Sequence, residues 1–91
     1  MESYRDRIEE ILSYRPKHPN NRNGHNVGIL FRANIIAATL RSWAKDPVTE
    51  KMLKQQGYTD GIVTVGDRNY PVRILREMED LKNRYPNYFQ T

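Results

Sequence analysis

Val27–Lys45 reads VGILFRANIIAATLRSWAK, and the fold turns on this stretch. Projected at about 100° per residue, Ile29, Leu30, Ala33, Ile36, Ala37, Leu40, Trp43 and Ala44 fall on one continuous stripe, the pattern of a central core helix. Asn26 stands in front of it as the cap. The reverse side carries Arg32, Asn34, Thr39, Arg41, Ser42 and Lys45, but also Phe31, Ile35 and Ala38 at i, i+4 and i+7. That second apolar strip needs a cover, from elsewhere in the chain or from a partner.

Downstream, Asp46-Pro47 marks a boundary, since Asp caps well and Pro suits a first helical position. A short helix is expected from there to about Gln56, with Val48, Met52 and Leu53 inward and Glu50, Lys51, Lys54 and Gln55 outward. Gly57 is placed to end it. The period then changes. Ile62-Val63-Thr64-Val65 is β-branched throughout, Gly66-Asp67-Arg68-Asn69 supplies turn residues, and Tyr70-Pro71-Val72 reads as the returning strand of a hairpin. Pro71 belongs either to an edge strand or to the first turn of the next helix. Val72, Leu75, Met78, Leu81 and Tyr85, with Ile74 beside them, mark the inner face of a final helix that Pro86 stops.

Upstream, Tyr4, Ile8, Ile11 and Leu12 fall on one face between Ser3 and Tyr14, against Arg5, Asp6, Arg7, Glu9 and Glu10 on the other. This is an amphipathic helix, with Ser3 and Asp6 resembling a capping box and Arg15-Pro16 as its stop. Arg15–Asn26, RPKHPNNRNGHN, has almost nothing apolar and reads as a flexible, basic, Asn-rich loop, long enough to be a place to look for function. The expected fold is mainly α with a small β-hairpin, in the order α-α-α-β-β-α, as one compact domain over residues 1–91.

Size and composition narrow the function. Ninety-one residues leave room for one core. There is no cysteine, hence no disulfide framework and no thiolate metal site. The first residues are charged on both signs with no apolar signal region, and no run approaches the about 18 apolar residues of a membrane span, so the expectation is a cytoplasmic protein that does not enter a membrane. Phosphate-loop, dinucleotide, zinc-protease and serine-hydrolase motifs are missing. His18 and His25 both lie in the loop, with no acidic residue between Glu10 and Asp46 to complete a metal shell. Asp6, Glu9 and Glu10, and Glu77, Glu79 and Asp80, sit among arginines at helical spacings such as Arg76 to Asp80, which suits surface ion pairs. No catalytic residue, metal or cofactor is expected.

Charge says more. Between Ile11 and Lys45 lie six basic residues, Arg15, Lys17, Arg22, Arg32, Arg41 and Lys45, and no acidic one. The rest of the chain holds nine basic against eleven acidic, so the net +4 is concentrated in one loop and one helix face. Cations interleaved with amides such as Asn23 and Asn34 suit a phosphate backbone.

From Val27 to Ile74, the order helix, turn, helix and hairpin resembles the winged-helix pattern. That resemblance implies that Lys51, Lys54 and Gln55 of the short helix enter a major groove, while Arg68 at the hairpin tip reaches the neighbouring backbone or minor groove. Two functions are therefore expected. One is a non-enzymatic nucleic-acid-binding domain, DNA ahead of RNA, using Arg15, Lys17, Arg22, Asn23, Arg32, Arg41 and Lys45 with Lys51, Lys54, Gln55 and Arg68. The alternative is a small protein-binding adaptor or inhibitor, or a homodimer, whose interface uses Phe31, Ile35, Tyr85, Tyr88 and Phe89. The competing account of those aromatics is that they close the chain's own core.

Overall fold

The computed structural model describes residues 4–18 and 27–90. Ser3, Arg22, Asn23, His25 and the cap expected at Asn26 lie outside the described residues. The elements are α1 (Tyr4–Leu12), β1 (Arg15–Pro16), α2 (Val27–Lys45), α3 (Glu50–Gln55), β2 (Ile62–Val65), β3 (Arg68–Pro71), α4 (Val72–Arg84), a 3-10 turn (Pro86–Tyr88) and β4 (Phe89–Gln90). The chain is mostly helical with two small antiparallel sheets, β1 with β4 and β2 with β3.

Helix α2 is the centre. Its stripe of Leu30, Ala33, Ile36, Ala37, Leu40 and Trp43 is buried, and α1, α4, β1 and β3 pack around it. Ile8 and Ile11 of α1 and Ile74, Leu75 and Met78 of α4 complete one side of the core. Leu53, Tyr70 and Phe89 complete the other members of the same cluster, and Trp43 meets Tyr58 edge-on at 5.8 Å.

Local chemistry explains the boundaries, with one shift. Helix α3 begins at Glu50 instead of Pro47, because the Thr49 hydroxyl accepts the Met52 N–H as the N-cap, while Asp46 N–H still bonds back to Ser42 in α2. The shortened helix buries Leu53 alone, so Met52, expected inward, is 45% exposed. At its other end Gly57 adopts φ 99°, with Gly57 N–H donating to Lys54 and Tyr58 N–H to Leu53, a Schellman closure.

The hairpin is tighter than expected. Val65 pairs with Arg68, so only Gly66 and Asp67 form the tip, and Gly66 supplies the left-handed residue at φ 66° that a two-residue hairpin requires. Arg68 and Asn69 are strand residues. Pro71 takes the strand role and not the first helical turn: it ends β3 in extended conformation and precedes α4 as its N-cap, and Val72, the first helical residue, donates its N–H to Gly61.

Arg15 and Pro16 are not loop. They pair with Gln90 and Phe89, Pro16 is buried, and Lys17 N–H donates to the Tyr88 carbonyl at 2.8 Å. A three-residue stretch that reads as free loop is held by a tail more than 70 residues away in sequence. Among the described residues no helix is long and apolar enough to cross a membrane.

Candidate functional site

The cations expected to meet phosphate divide into those the fold engages and those it leaves to solvent. Arg32 is engaged. Its Nε and Nη2 donate to Oε1 and Oε2 of Glu77 at 2.5 and 2.8 Å, a two-pronged pair joining α2 to α4. The hydrogen bond, reinforced by the opposite charge, raises the Arg32 pKa and holds the Glu77 carboxyl below its ordinary range.

Arg68 is engaged too. Its side chain turns back from β3, Nε donating to the Ala44 carbonyl in the last turn of α2 and Nη1 to Asp67 at 3.1 Å. A cation there satisfies a helix-end carbonyl and opposes the helix dipole. The arginine expected to reach outward from a wing tip is thus a clasp between hairpin and helix. Arg15 donates to the carbonyls of Leu12 and Tyr14 at the end of α1.

Lys17, Arg41 and Lys45 are exposed and make no ion pair among the described residues. They are spread along one side of α2 over about three turns. Arg41 and Lys45 lie on α2, and the Asn34 amide, donating to the Lys17 carbonyl at 2.8 Å and the Leu30 carbonyl at 2.7 Å, ties the chain at Lys17 to the same helix. On α3, Lys51, Lys54 and Gln55 line a shallow surface depression with Glu50, whose carboxylate pairs with Lys54 at 3.1 Å.

The apolar candidates divide the same way. Phe89 is buried at 3% exposure, edge-on to Tyr14 at 5.9 Å with the Lys82 ammonium 5.4 Å from its ring centre, so it is a core residue and not a surface anchor. Tyr85 and Tyr88 are half-buried and stacked on each other at 5.8 Å. Phe31 and Ile35, by contrast, are 53% and 54% exposed on the outer side of α2. Neither the first helix, the last helix nor the tail covers them.

The carboxylates serve the fold. Glu79 accepts from Arg7 at 2.6 Å across α1 and α4, and Asp80 faces Arg84 at 3.7 Å instead of the Arg76 expected from spacing. A cleft of about 290 Å³ between these helices has Ile8, Ile11 and Leu75 on its floor and the Arg7–Glu79 pair with Arg76 at its rim. It is at the lower limit of small-molecule sites and gathers no histidine. Among the described residues no group of three His, Cys, Asp or Glu side chains is placed to hold a metal ion. Three features of these surfaces had no local signal: Glu77 as the neutraliser of Arg32, Ala44 as the partner of Arg68, and the exposure of Met52. No protein-family model, curated protein or solved structure matches the chain.

Proposed function

We propose that this chain is a small, non-enzymatic protein-binding module, an adaptor or inhibitor, that docks through the outer face of α2. The observation that carries this reading is the exposure of Phe31 and Ile35, one turn apart on a long helix whose other side forms the core. Side chains of this size are usually withdrawn from water when a chain can cover them. Left at i and i+4, they form the anchor pair of a helix-to-protein contact. The test is affinity capture from a nuclease-treated lysate of the source organism, with the wild-type chain and a Phe31→Ser/Ile35→Ser variant in parallel. A protein retained by the wild type and lost with the variant supports the reading; retention that ignores the substitution refutes it.

A second reading, nucleic-acid binding in a winged-helix manner, is favoured by a different observation: Lys17, Arg41 and Lys45 lack an ion-pair partner among the described residues, in a segment without acidic residues. Exposed Lys51 and Gln55 on α3 would be secondary contacts. Arg32 and Arg68 are set aside because both already bond within the fold. If this reading holds, duplex DNA binds with a log–log salt slope that falls by about one for each of Lys17, Arg41 and Lys45 neutralised. A chain that binds no duplex at low salt refutes it.

A further inference from the structure

We infer that the partner surface taken by α2 is an acidic amphipathic helix, packed lengthwise on a heptad seam, and not a second copy of this chain. The inference rests on the protein-docking reading above and names the chemistry of the partner. The exposed positions Gly28, Phe31, Ile35, Ala38, Ser42 and Lys45 alternate in steps of three and four, the spacing of a coiled-coil seam. From Gly28 to Ser42 this seam is about 21 Å long at 1.5 Å per residue, which matches about two heptads of a facing helix. Phe31 and Ile35 are its knobs. Gly28, Ala38 and Ser42 are small, so a partner helix approaches closely there and fills those positions with its own large side chains.

Charge selects the partner. Arg41 flanks the seam two turns beyond Asn34 on the same side, Lys45 closes one end, and the chain at Lys17 is tied to that flank through the Asn34 amide. On the opposite flank Arg32 is neutralised by Glu77. Lys17, Arg41 and Lys45 make no ion pair among the described residues, so Asp or Glu on a partner would complement them.

A second copy fits poorly. In a parallel pair Gly28 meets Gly28 and Lys45 meets Lys45; in an antiparallel pair Arg41 of one copy approaches Asn34 and Lys17 of the other, again with no carboxylate.

The test uses the full chain and three 21-residue helical peptides. The first has Leu at a and d and Glu at e and g, the second replaces Glu by Lys, and the third keeps Glu but replaces Leu by Ser. Titrations at about 0.15 M salt are followed by amide chemical shifts, with sedimentation of the free chain alongside. The Leu/Glu peptide is expected to bind with Kd on the order of 10 µM, the other two at least tenfold more weakly. Phe31→Ser/Ile35→Ser should weaken the Leu/Glu peptide at least tenfold and Arg41→Gln/Lys45→Gln several-fold. The free chain should sediment as a monomer, with circular dichroism showing that both variants fold.

Equal binding of the two Leu peptides, lost with the Phe31/Ile35 variant, overturns the acidic partner while the docking reading stands. A dimer abolished by the same variant overturns the inference in favour of self-association. If no peptide binds and duplex DNA shifts the amides of Arg41 and Lys45 instead, the docking reading falls with it.

Discussion

The chain has two phenylalanines, and the tertiary structure assigns them opposite fates, so the same substitution at each is a direct test of the packing. Phe89 is 3% exposed, wedged against Tyr14 and Lys82 in the core; Phe31 is 53% exposed on a helix. Phe89→Ala removes a buried ring and is expected to cost about 3–5 kcal/mol. A domain of this length has about 5–14 kcal/mol in total, so the variant is left marginal. Phe31→Ala removes a ring about half withdrawn from water, a loss of about 0.8–1.5 kcal/mol on a scale where full burial is worth about 1.5–3. Alanine returns about 0.5 kcal/mol through its better helix propensity, leaving a net cost of about 0.3–1 kcal/mol. Urea denaturation followed by Trp43 fluorescence and far-ultraviolet circular dichroism separates the two. At a slope of about 1 kcal/mol per molar, typical of small chains, the Phe89 midpoint falls by about 3 M or more and the Phe31 midpoint by no more than about 1 M. A Phe89 cost under about 1 kcal/mol, or a Phe31 cost equal to it, would refute the placement of the tail and of the α2 face together. The contrast also governs the binding experiments, because a Phe31 variant that stays folded reports on the surface whereas a Phe89 variant reports on the core.

Four further outcomes follow from local geometry. Because Glu77 titrates below its ordinary value near 4.5, its contribution to stability is present above that value and is lost as pH falls through the lower folded value. Glu77→Gln should therefore lower neutral-pH stability by no more than about 1 kcal/mol, since the pair is partly solvent-screened, and flatten the acid limb of melting temperature against pH; an unchanged acid limb would contradict the pair. Burial raises the Tyr70 pKa above 10.0, so its contribution is complete below that value and is lost as pH rises through the higher folded value. Tyr70→Phe should remove that part of the alkaline loss, and melts across the alkaline range in both proteins check it. Thr49→Ala should cost about 1 kcal/mol through the lost N-cap bond, and Gly57→Ala about 1–2 kcal/mol through backbone strain alone, because φ is 99° and a Cβ there meets open space; denaturant midpoints within error of wild type would contradict both.

Much of the architecture was legible because it is local. The α2 stripe from Leu30 to Trp43, the α4 face at Leu75 and Met78, the Gly57 stop and the β-branched run of Ile62–Val65 each announce themselves within a few residues. Boundaries failed where two local signals competed. Asp46-Pro47 and Thr49 are both credible helix starts, and the Thr49 side chain makes the bond; Gly66–Asn69 reads as a four-residue turn, yet two residues suffice once Arg68 and Asn69 join the ladder. Asn69 is then held by the Val48 carbonyl and the Thr64 hydroxyl, partners that turn propensity does not reveal.

The candidate site was legible as a population and not as a set. The acid-free segment from Ile11 to Lys45, and the second apolar strip on its helix, are properties of sequence alone: composition sets the charge, and the 3.6-residue period sets which side chains share a face. Which members remain available was decided by contacts between distant segments. Arg32 and Arg41 look alike in one dimension, but Glu77, 45 residues away, reaches only Arg32. Phe31 and Phe89 are equally apolar, but the pairing of β4 with β1 draws one into the core and leaves the other in water. Periodicity specifies a direction around a helix axis; only the packing of α1, α4 and the tail on α2 determines what stands in that direction.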